Sequence, residues 1–361
     1  MSRSVAVIGA GAVGTGIAWH LSRSGDDITL FDPSLKQSVD RHSSEGLSGT
    51  SASLGVLTGH VFRRSSGRAW RLRQRSMELW PGWVRQLQEH EPELQLKTPL
   101  LQLAENDLAF ERMIELAGRR TELGLQIIPR ECLQTIWPGA SHGGLQSRLD
   151  GRLDPITLQR ALRKALDQLP VQQIRKAVCS IDSGGDLWTV TDTDGQIHSF
   201  QAVVVCAALA SSGLLKPLTE SVPMQPVLGQ ALALNLREGP LEWNDWPAVL
   251  MVQGFNLIPN GPGQLLLGAT VEPGDAAAKD PLALMQTLNG NAPEWLRSAT
   301  VIEHWHGLRA RPLDRPAPVL EMLQPGLVVA TGHYRNGILL TPVTAEWVSE
   351  ILDHNHPITR T

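Results

Sequence analysis

The stretch that decides the fold is residues 4–32, SVAVIGAGAVGTGIAWHLSRSGDDITLFD. An apolar segment runs into a glycine-rich turn, a helical pattern follows, and a second apolar segment ends in the carboxylate of Asp32. These parts stand in the order of a dinucleotide-binding βαβ unit. Because glycines also cluster in ordinary turns, it is this context that makes the prediction specific.

Each residue of the glycine turn has a separate physical task in such a unit. Gly9 allows a sharp turn, Gly11 lets the backbone approach a pyrophosphate, and Gly14 lets the helix pack close to the strand. Ala12 and Val13 open the helix, whose free N–H groups and positive end favour phosphate. We therefore predict that these five residues bind the cofactor.

The residues after the second strand predict contacts with the rest of a dinucleotide. Asp32 can accept hydrogen bonds from the ribose hydroxyls and would repel the extra phosphate of NADP. The polar residues 36–48 predict a long loop near the ribose. Thr50, Ser51 and Ala52 belong to a run of small residues that allows close approach to a flat ligand. These features do not distinguish FAD from NAD.

Length and composition bound the class of protein. With 361 residues, 42% hydrophobic and 19% charged, the chain is long enough for two folded domains and lacks the composition of a disordered protein. A net charge of −4 gives no general attraction to nucleic acid or acidic membranes. Three widely spaced cysteines without a CxxC pair favour reduced thiols, a cytoplasmic location and no metal site. No segment approaches the ~20 apolar residues needed to span a bilayer.

Periodicity predicts the remaining helices and strands. Residues 67–91 have helical spacing, with a tryptophan stripe for the core and the arginines of 68–75 on a solvated face. Asp154-Pro155 predicts a capped helix start. The other predictions are a helix over 156–169, a hairpin over 178–196, a buried strand over 202–208, β-structure over 223–268, a helix over 281–297, a buried strand over 326–330 and a helix over 338–352.

Motifs along nearly the whole chain resemble the D-amino-acid oxidase (DAO) family of FAD enzymes, most closely its glycine oxidase branch, which is linked to thiamine biosynthesis. The most diagnostic segments are residues 305–309, WHGLR, and 332–342, GHYRNGILLTP. The other matching segments are the N-terminal glycine unit, Thr50-Ser51-Ala52 with Gly55, Asp154-Pro155, Pro226 to Gln230, and Leu267 to Thr270.

The resemblance implies an α/β fold. It consists of a Rossmann-type, glutathione-reductase-like FAD-binding domain with an inserted antiparallel β-sheet substrate domain that caps the flavin. The implied boundaries are 1–85, 143–217 and 299–361 for the discontinuous FAD-binding domain, and 86–142 and 218–298 for the substrate domain.

The resemblance also implies a site. The first βαβ unit binds the ADP half of a non-covalent FAD, and the backbone near Val178 meets the adenine. Arg309 stands where the family places its carboxylate-binding arginine, since a planar guanidinium binds a carboxylate with two parallel hydrogen bonds. Arg335 is a second arginine expected near both flavin and substrate. The residues implied around the flavin pyrimidine edge are Arg335, Asn336, Gly337, Ile338 and Leu339.

The implied activity is oxidation of glycine or another small amino acid. Hydride transfer from the substrate Cα to flavin N5 yields an imine, which hydrolyses to the oxo acid and ammonia, while O₂ reoxidises the flavin and gives hydrogen peroxide. This chemistry needs no dedicated base, so no catalytic residue is assigned, and the histidines at 60, 304, 306 and 333 are not interpreted as bases. The expected partners are the amino acid, O₂ and further copies of the chain, without nucleic acid or membrane.

Departures from the family pattern leave the substrate open. Relatives often carry a tyrosine hydroxyl over the substrate where this chain has Asn256, which we predict to bind substrate, and the only tyrosine is Tyr334. The strand over 202–208 leads into Leu209, where glycine is usual. The alternatives are a sarcosine-type or D-amino-acid oxidase or dehydrogenase of the same superfamily, an NAD-dependent dehydrogenase, or a degenerate FAD-binding module without turnover.

Overall fold

The computed structural model describes residues 2–35, 37, 39–40, 47–218, 222–237 and 242–354, so most of the loop predicted over residues 36–48 lies outside the described residues. The strands are β1 (Ser4–Ile8), β2 (Asp27–Phe31), β3 (Val56–Leu57), β4 (Leu100–Leu103), β5 (Leu125–Ile128), β6 (Gly144–Ser147), β7 (Gly151–Arg152), β8 (Val171–Ile174), β9 (Val178–Ser183), β10 (Trp188–Asp192), β11 (Ile197–Phe200), β12 (Ala202–Val205), β13 (Met224–Asn235), β14 (Val249–Val252), β15 (Phe255–Pro259), β16 (Gln264–Gly268), β17 (Glu272–Pro273), β18 (Thr300–Pro312), β19 (Val319–Gln324) and β20 (Leu327–Thr331). The helices are α1 (Ala12–Arg23), α2 (Arg68–Leu87), α3 (Asp107–Arg119), α4 (Arg130–Leu133), α5 (Pro155–Leu166), α6 (Ser211–Leu215), α7 (Lys279–Gln286), α8 (Glu294–Arg297) and α9 (Gly337–His354).

The N-terminal βαβ unit forms the centre of one sheet, here called the parallel sheet. In the described part of the chain its strand order is β19-β20-β12-β1-β2-β8, and only the edge strand β19 runs antiparallel to its neighbour. The four residues of β12 are buried between β1 and β20, which confirms the predicted strand, although it ends at Val205. All four residues of β12 are apolar, as is usual for a strand that is buried on both faces.

A second, mostly antiparallel sheet, here called the large sheet, holds β17-β13-β16-β15-β14-β4-β6-β5, and β18 pairs with β13 along nearly its whole length. Two of its strands, β6 and β18, come from segments that the sequence assigns to the FAD-binding domain. The division at residues 143 and 299 therefore stays a prediction. The fold itself is mixed α/β, as predicted, with a Rossmann-type sheet and a second sheet.

Local sequence explains the helices that support the site. Asp154 caps α5 by accepting hydrogen bonds from the N–H groups of Ile156 and Thr157, as predicted. The tryptophan stripe of α2 is core: Trp80 is fully buried and Trp83 nearly so. The side chains of α1 and α9 share the same apolar cluster behind the parallel sheet.

The single helix predicted over 281–297 is wrong. The structure has α7 and α8 instead, because Leu288, Asn289 and Gly290 all adopt positive φ and turn the chain between them. Pro293 then precedes α8, at a position that suits proline because its missing N–H would be unpaired there.

Candidate active site

The glycine turn, residues 9–14, here called the cofactor turn, is built from backbone close to backbone. Gly9 has φ of 106°, and a Cβ there would lie 2.7 Å from the Cys206 carbonyl oxygen. A Cβ on Gly14 would lie 1.8 Å from the Gly9 carbonyl oxygen. The turn and the close helix packing therefore both require glycine, for the reasons predicted.

Gly11 differs from its two neighbours because its surroundings are open. A Cβ built there would meet only the Thr50 hydroxyl, at 3.3 Å. α1 begins at the next residue, and its first turn contains no acidic side chain. The Ala12 N–H donates to the Thr50 hydroxyl over 3.0 Å, which links the helix start to the small-residue run. Open space at an uncompensated helix N-terminus is suited to a phosphate.

Asp32 lies at the end of β2 with its carboxylate turned toward the cofactor turn. Its Oδ2 accepts a hydrogen bond of 2.7 Å from the Ala10 N–H. Its Oδ1 accepts from the N–H and the hydroxyl of Ser34, at 2.7 and 2.6 Å. A carboxylate oxygen has two lone-pair sites. Oδ2 can therefore hold the turn and still accept a ribose hydroxyl.

Residues 48–52 join the cofactor turn to the large sheet. Ser51 is buried, and its hydroxyl contacts Ser48 and donates to Gln159 of α5 over 3.1 Å. The Ala52 carbonyl accepts from the Trp305 indole N–H over 3.0 Å. A Cβ on Gly307 would lie 2.3 Å from the Ala52 Cβ, so β18 lies directly against this segment.

Arg309 points from β18 onto the backbone of β13. Its Nη1 donates to the carbonyl oxygens of Leu228 and Thr270, at 3.0 and 3.1 Å. Its guanidinium fills the space that a side chain at Gly229 would need, because a Cβ there would lie 2.1 Å from Nη2. Burial lowers the pKa of Arg309, and the positive charge of Arg335 lowers that pKa further.

The diagnostic turn before α9 lies beside this arginine. The Tyr334 N–H donates to the Ala310 carbonyl over 3.2 Å, so the turn is bonded to the residue next to Arg309. Tyr334 has φ of 55°, Arg335 is exposed, and the Asn336 carbonyl accepts the first bond of α9 from Leu340. The structure therefore brings Arg309 and residues 334–337 together, as predicted.

Three further residues that we predict to bind the cofactor have buried side chains. Ile338 and Leu339 are buried, and the Leu339 carbonyl accepts from the Trp80 indole N–H over 3.0 Å. Val178 is buried in the apolar cluster on the other face of the parallel sheet, at the start of β9. Contacts from these residues to a cofactor would therefore use backbone groups.

Arg73 is a site residue that the sequence reasoning missed. It was assigned to a solvated helix face, but it is half-buried, and burial lowers its pKa to about 10. Its Nη1 donates to the Thr58 carbonyl and its Nη2 to the Asn336 side-chain oxygen, both at 2.9 Å. Helical periodicity shows on which face of a helix a residue lies, but it does not show which loop covers that face.

Asn256 lies on β15, opposite Gly268 of β16. Its Nδ2 donates to the Gly268 carbonyl over 3.1 Å. Its Oδ1 is buried and has no hydrogen-bond partner in the described part of the chain. Gly268 stands two residues before Thr270, whose carbonyl accepts from Arg309. Asn256 and Arg309 therefore flank the same segment, residues 268–270.

The histidines have different surroundings. His333 is buried against the Thr344 hydroxyl at 2.9 Å, and burial lowers its pKa to about 3. His60 is buried, and its pKa is also lowered, chiefly by burial. His304 and His306 are exposed, and the His304 Nε2 lies 2.9 Å from the Gln230 side-chain oxygen. Neutral His333 bonded to a threonine is a structural group.

Neither a metal site nor a membrane-spanning helix occurs among the residues that the structure describes. No group of three or more His, Cys, Asp or Glu side chains in that part of the chain is arranged to hold a metal ion. No helix within it is long and apolar enough to cross a membrane.

Comparisons with known proteins identify the family of the chain and support its fold. A family model described as "FAD dependent oxidoreductase" (DAO) matches residues 4–351. A glycine oxidase of Pseudomonas aeruginosa is 26% identical over 375 aligned positions, covering 99% of this chain and 97% of that protein. One of Pseudomonas putida is 29% identical over 240 positions, which is 63% of this chain and 62% of that protein. A solved glycine oxidase structure from Bacillus cereus has a TM-score of 0.82 at 20% identity, covering 98% and 96% of the two chains.

Proposed function

The chain belongs to the DAO family of FAD-dependent oxidoreductases, and we propose that it oxidises glycine or another small amino acid. The products would be an imino acid, which hydrolyses to the oxo acid and ammonia, and hydrogen peroxide from the reduction of O₂. The oxidase relatives named above support the substrate class. FAD is the cofactor of this family.

We propose that the cofactor turn and Asp32 hold the ADP half of FAD. The open space at Gly11 and the uncompensated start of α1 fit a pyrophosphate, and Thr50 lies at 3.3 Å from where a Gly11 side chain would begin. At the other end, the start of α9 and the turn at Asn336 fit the pyrimidine edge, because a helix N-terminus stabilises negative charge. The backbone near Val178 would meet the adenine.

One observation carries the substrate proposal: Arg309 has a half-buried guanidinium that is fixed by two backbone hydrogen bonds beside the α9 turn. A charge-assisted, bidentate contact to a carboxylate is strong and sets its orientation. An amino acid bound there presents its Cα at a fixed place. Arg335 adds a second positive charge close enough to lower the pKa of Arg309.

FAD, when bound, supplies a two-electron acceptor for the hydride on the substrate Cα. The protein's contribution is to bind the carboxylate, orient the Cα–H bond and provide a positive environment. Arg73, Arg309 and Arg335 supply the charge, and Arg335 lowers the pKa of both others. This positive field stabilises the substrate carboxylate and any negative charge at the flavin edge.

A peroxide-coupled screen of glycine, sarcosine and small D-amino acids tests the proposal. We expect peroxide with at least one of these compounds, in equal amount to the ammonia or amine released. A yellow protein that gives no peroxide and no reduced flavin with any of them would contradict amino-acid oxidation. It would support the degenerate binding module instead. A flavin spectrum in the purified protein would speak against the NAD-dependent alternative.

Asn256 favours a second candidate, an oxidase of N-alkyl glycines or D-amino acids. An amide is smaller than an aromatic side chain, and Asn256 therefore leaves more room above the segment 268–270. The same screen separates these substrates from glycine. Assembly into homo-oligomers, a cytoplasmic location and a place in thiamine biosynthesis stay predictions.

A further inference from the structure

Among the residues that the structure describes, the guanidinium of Arg309 is hydrogen-bonded through Nη1 alone. Both hydrogens of Nη1 are used by backbone carbonyls, those of Leu228 and Thr270. A guanidinium has five N–H donors in a fixed plane, so the edge that remains for a planar carboxylate is Nε with Nη2. We propose that Arg309 binds the substrate carboxylate side-on through this edge, and that Gly229 and Glu272 are the residues that position it. This rests on the proposed function.

Gly229 acts by leaving space. The built position of a Cβ there lies 2.1 Å from Nη2, 2.3 Å from Nη1 and 2.4 Å from Cζ of Arg309. Heavy atoms cannot approach so closely, so the guanidinium occupies the volume of the missing side chain. Any larger residue at 229 must push the head group away from its two carbonyl acceptors. The close approach of this side chain to the backbone is therefore what requires glycine at this position.

Glu272 acts through Thr270. It is 4% exposed, and its Oε1 accepts from the Thr270 hydroxyl and from the Gln230 amide, the latter at 2.9 Å. Its Oε2 accepts from the Ala278 N–H over 2.8 Å. The Thr270 hydroxyl also accepts from the Gln230 N–H over 2.8 Å. Thr270 is thereby held from two sides, with its carbonyl aimed at Arg309.

The Glu272 carboxylate acts on Arg309 through its charge and not through a direct ion pair between the two side chains. Burial acts to raise the pKa of Glu272, but hydrogen bonds from Thr270, Gln230 and Ala278 lower it on balance, so the group is ionised. These three donors compensate the cost of burying its charge. A direct ion pair with Arg309 would compete with the substrate carboxylate. Placing Thr270 between the two charges fixes the guanidinium and leaves its outer edge for the ligand.

Two variants of the FAD-loaded enzyme test the two positioning residues separately. Gly229→Ala removes the space for the guanidinium, and Glu272→Gln weakens the support that reaches it through Thr270. We expect Gly229→Ala to raise KM for the preferred amino acid about ten-fold or more, because charge-assisted contacts are the strong ones. Glu272→Gln keeps the shape and loses the charge, so we expect a smaller rise, of about three- to five-fold. In both variants kcat at saturation should fall much less than KM rises, because the contact holds the substrate as well as the transition state.

Binding without turnover gives the second readout. Glycolate, which has a carboxylate and no amine, is titrated against the flavin absorbance, and its Kd should rise in parallel with KM. Gly118→Ala is the matched control, since a Cβ there meets nothing within 4 Å, and it should leave both constants unchanged. Thermal unfolding and flavin content show whether each variant is folded. If Glu272→Gln does not fold, Gly229→Ala carries the test by itself, because it leaves the Glu272 cluster intact.

The outcomes separate this inference from the proposed function. Unchanged glycolate and substrate constants in Gly229→Ala, with activity intact, would overturn the inference and leave the oxidase proposal standing. A wild type that neither oxidises amino acids nor binds glycolate would overturn both. A crystal structure with glycolate should show the carboxylate on Nε and Nη2, and a carboxylate on Nη1 would contradict the side-on arrangement.

Discussion

We propose that the cofactor turn and the residues around Arg309 each hold an anion-binding group in place, and the two regions do so by different means. In the cofactor turn the backbone itself is the binding group, and glycines let three segments approach to within contact of one another. Around Arg309 a long side chain is the binding group, and residues from β13, β18 and the segment 268–272 hold it in place. The binding group of the first arrangement is one continuous stretch, residues 9–14, whereas the second is assembled from residues about 80 positions apart, as Leu228 and Arg309 are.

The largest effect is expected at Gly14, where the backbone arrangement is tightest. Gly14→Ala places a Cβ 1.8 Å from the Gly9 carbonyl oxygen, so the helix must move off the strand. We expect a loss of at least about 3 kcal/mol in the free energy of unfolding, at the upper end for overpacking. Denaturant unfolding measures it, with Gly82→Ala in α2 as the control, since nothing lies within 4 Å of its built Cβ. Equal stability of the two variants would refute the account of the turn.

Gly11→Val separates binding from folding in the same turn. A side chain at Gly11 meets only the Thr50 hydroxyl, at 3.3 Å, so the FAD-free protein should fold with little loss of stability. The branched side chain would stand where a pyrophosphate must approach, and FAD should be lost. Flavin absorbance after gel filtration checks this. A yellow Gly11→Val protein would show that the phosphates bind elsewhere.

Arg309→Lys tests the side-chain arrangement. Lysine keeps the charge but has no planar fork, so it cannot make both the backbone bonds and a bidentate carboxylate contact. We expect KM to rise about ten-fold or more, which corresponds to a contact worth about 1.5–3 kcal/mol, with a native flavin spectrum. Arg311→Lys, two residues along the same strand and exposed, is the control. If both variants keep the wild-type KM, Arg309 is not the carboxylate anchor.

The burial of His333, in the turn before α9, predicts how the stability of the protein depends on pH. Burial lowers its pKa to about 3, below the value of about 6.5 expected in the unfolded chain. Its contribution to stability is therefore present above pH 6.5 and is lost as the pH falls toward 3. At pH 5 the loss is about 2 kcal/mol for this one group. Denaturant unfolding at pH 7 and pH 5 should show a shallower decline in His333→Gln than in wild type, and identical declines would contradict the burial account.

The smallest effect is expected at Asn256, which concerns selectivity. We expect the wild type to retain activity on glycine with relaxed selectivity toward sarcosine and D-alanine, since one methyl group shifts binding by only about 1–3 kcal/mol. Asn256→Tyr should change the ratios of kcat/KM among glycine, D-alanine and D-proline. Unchanged ratios would show that residue 256 does not line the pocket.

The sequence was most informative where structure depends on neighbours in the chain. The βαβ unit, the Asp154 cap, the buried β12 and the hairpin of β9 and β10 were all predicted, because each is set by local periodicity and turn chemistry. The third strand of that small sheet, β11, lies beyond the predicted hairpin. The helix predicted over 281–297 was wrong because that prediction also used only the local apolar pattern. An apolar pattern does not show that the backbone turns at Leu288 to Gly290.

The site could be predicted only in part, because much of it depends on contacts between segments that are far apart in the sequence. Arg309 and the turn at 334–337 were identified through the family pattern. Glu272 and Arg73 gave no sequence signal of a role, since their partners lie on other strands, loops and helices. Gly229 lies in the segment from Pro226 to Gln230 that matches the family pattern, but that match does not show which side chain fills the space beside it. A glycine within a strand is itself a hint that something approaches the backbone closely.

Anaerobic titration of the FAD-loaded enzyme tests the central claim most directly. Adding glycine, sarcosine or a small D-amino acid without O₂ should bleach the flavin absorbance band, one substrate oxidised for each flavin. Admitting O₂ should restore the band and release one hydrogen peroxide for each flavin. In Arg309→Lys the bleaching should reach the same end point but need a much higher substrate concentration. A wild-type flavin that none of these compounds bleaches, or an Arg309→Lys titration that overlays the wild type, would contradict the account.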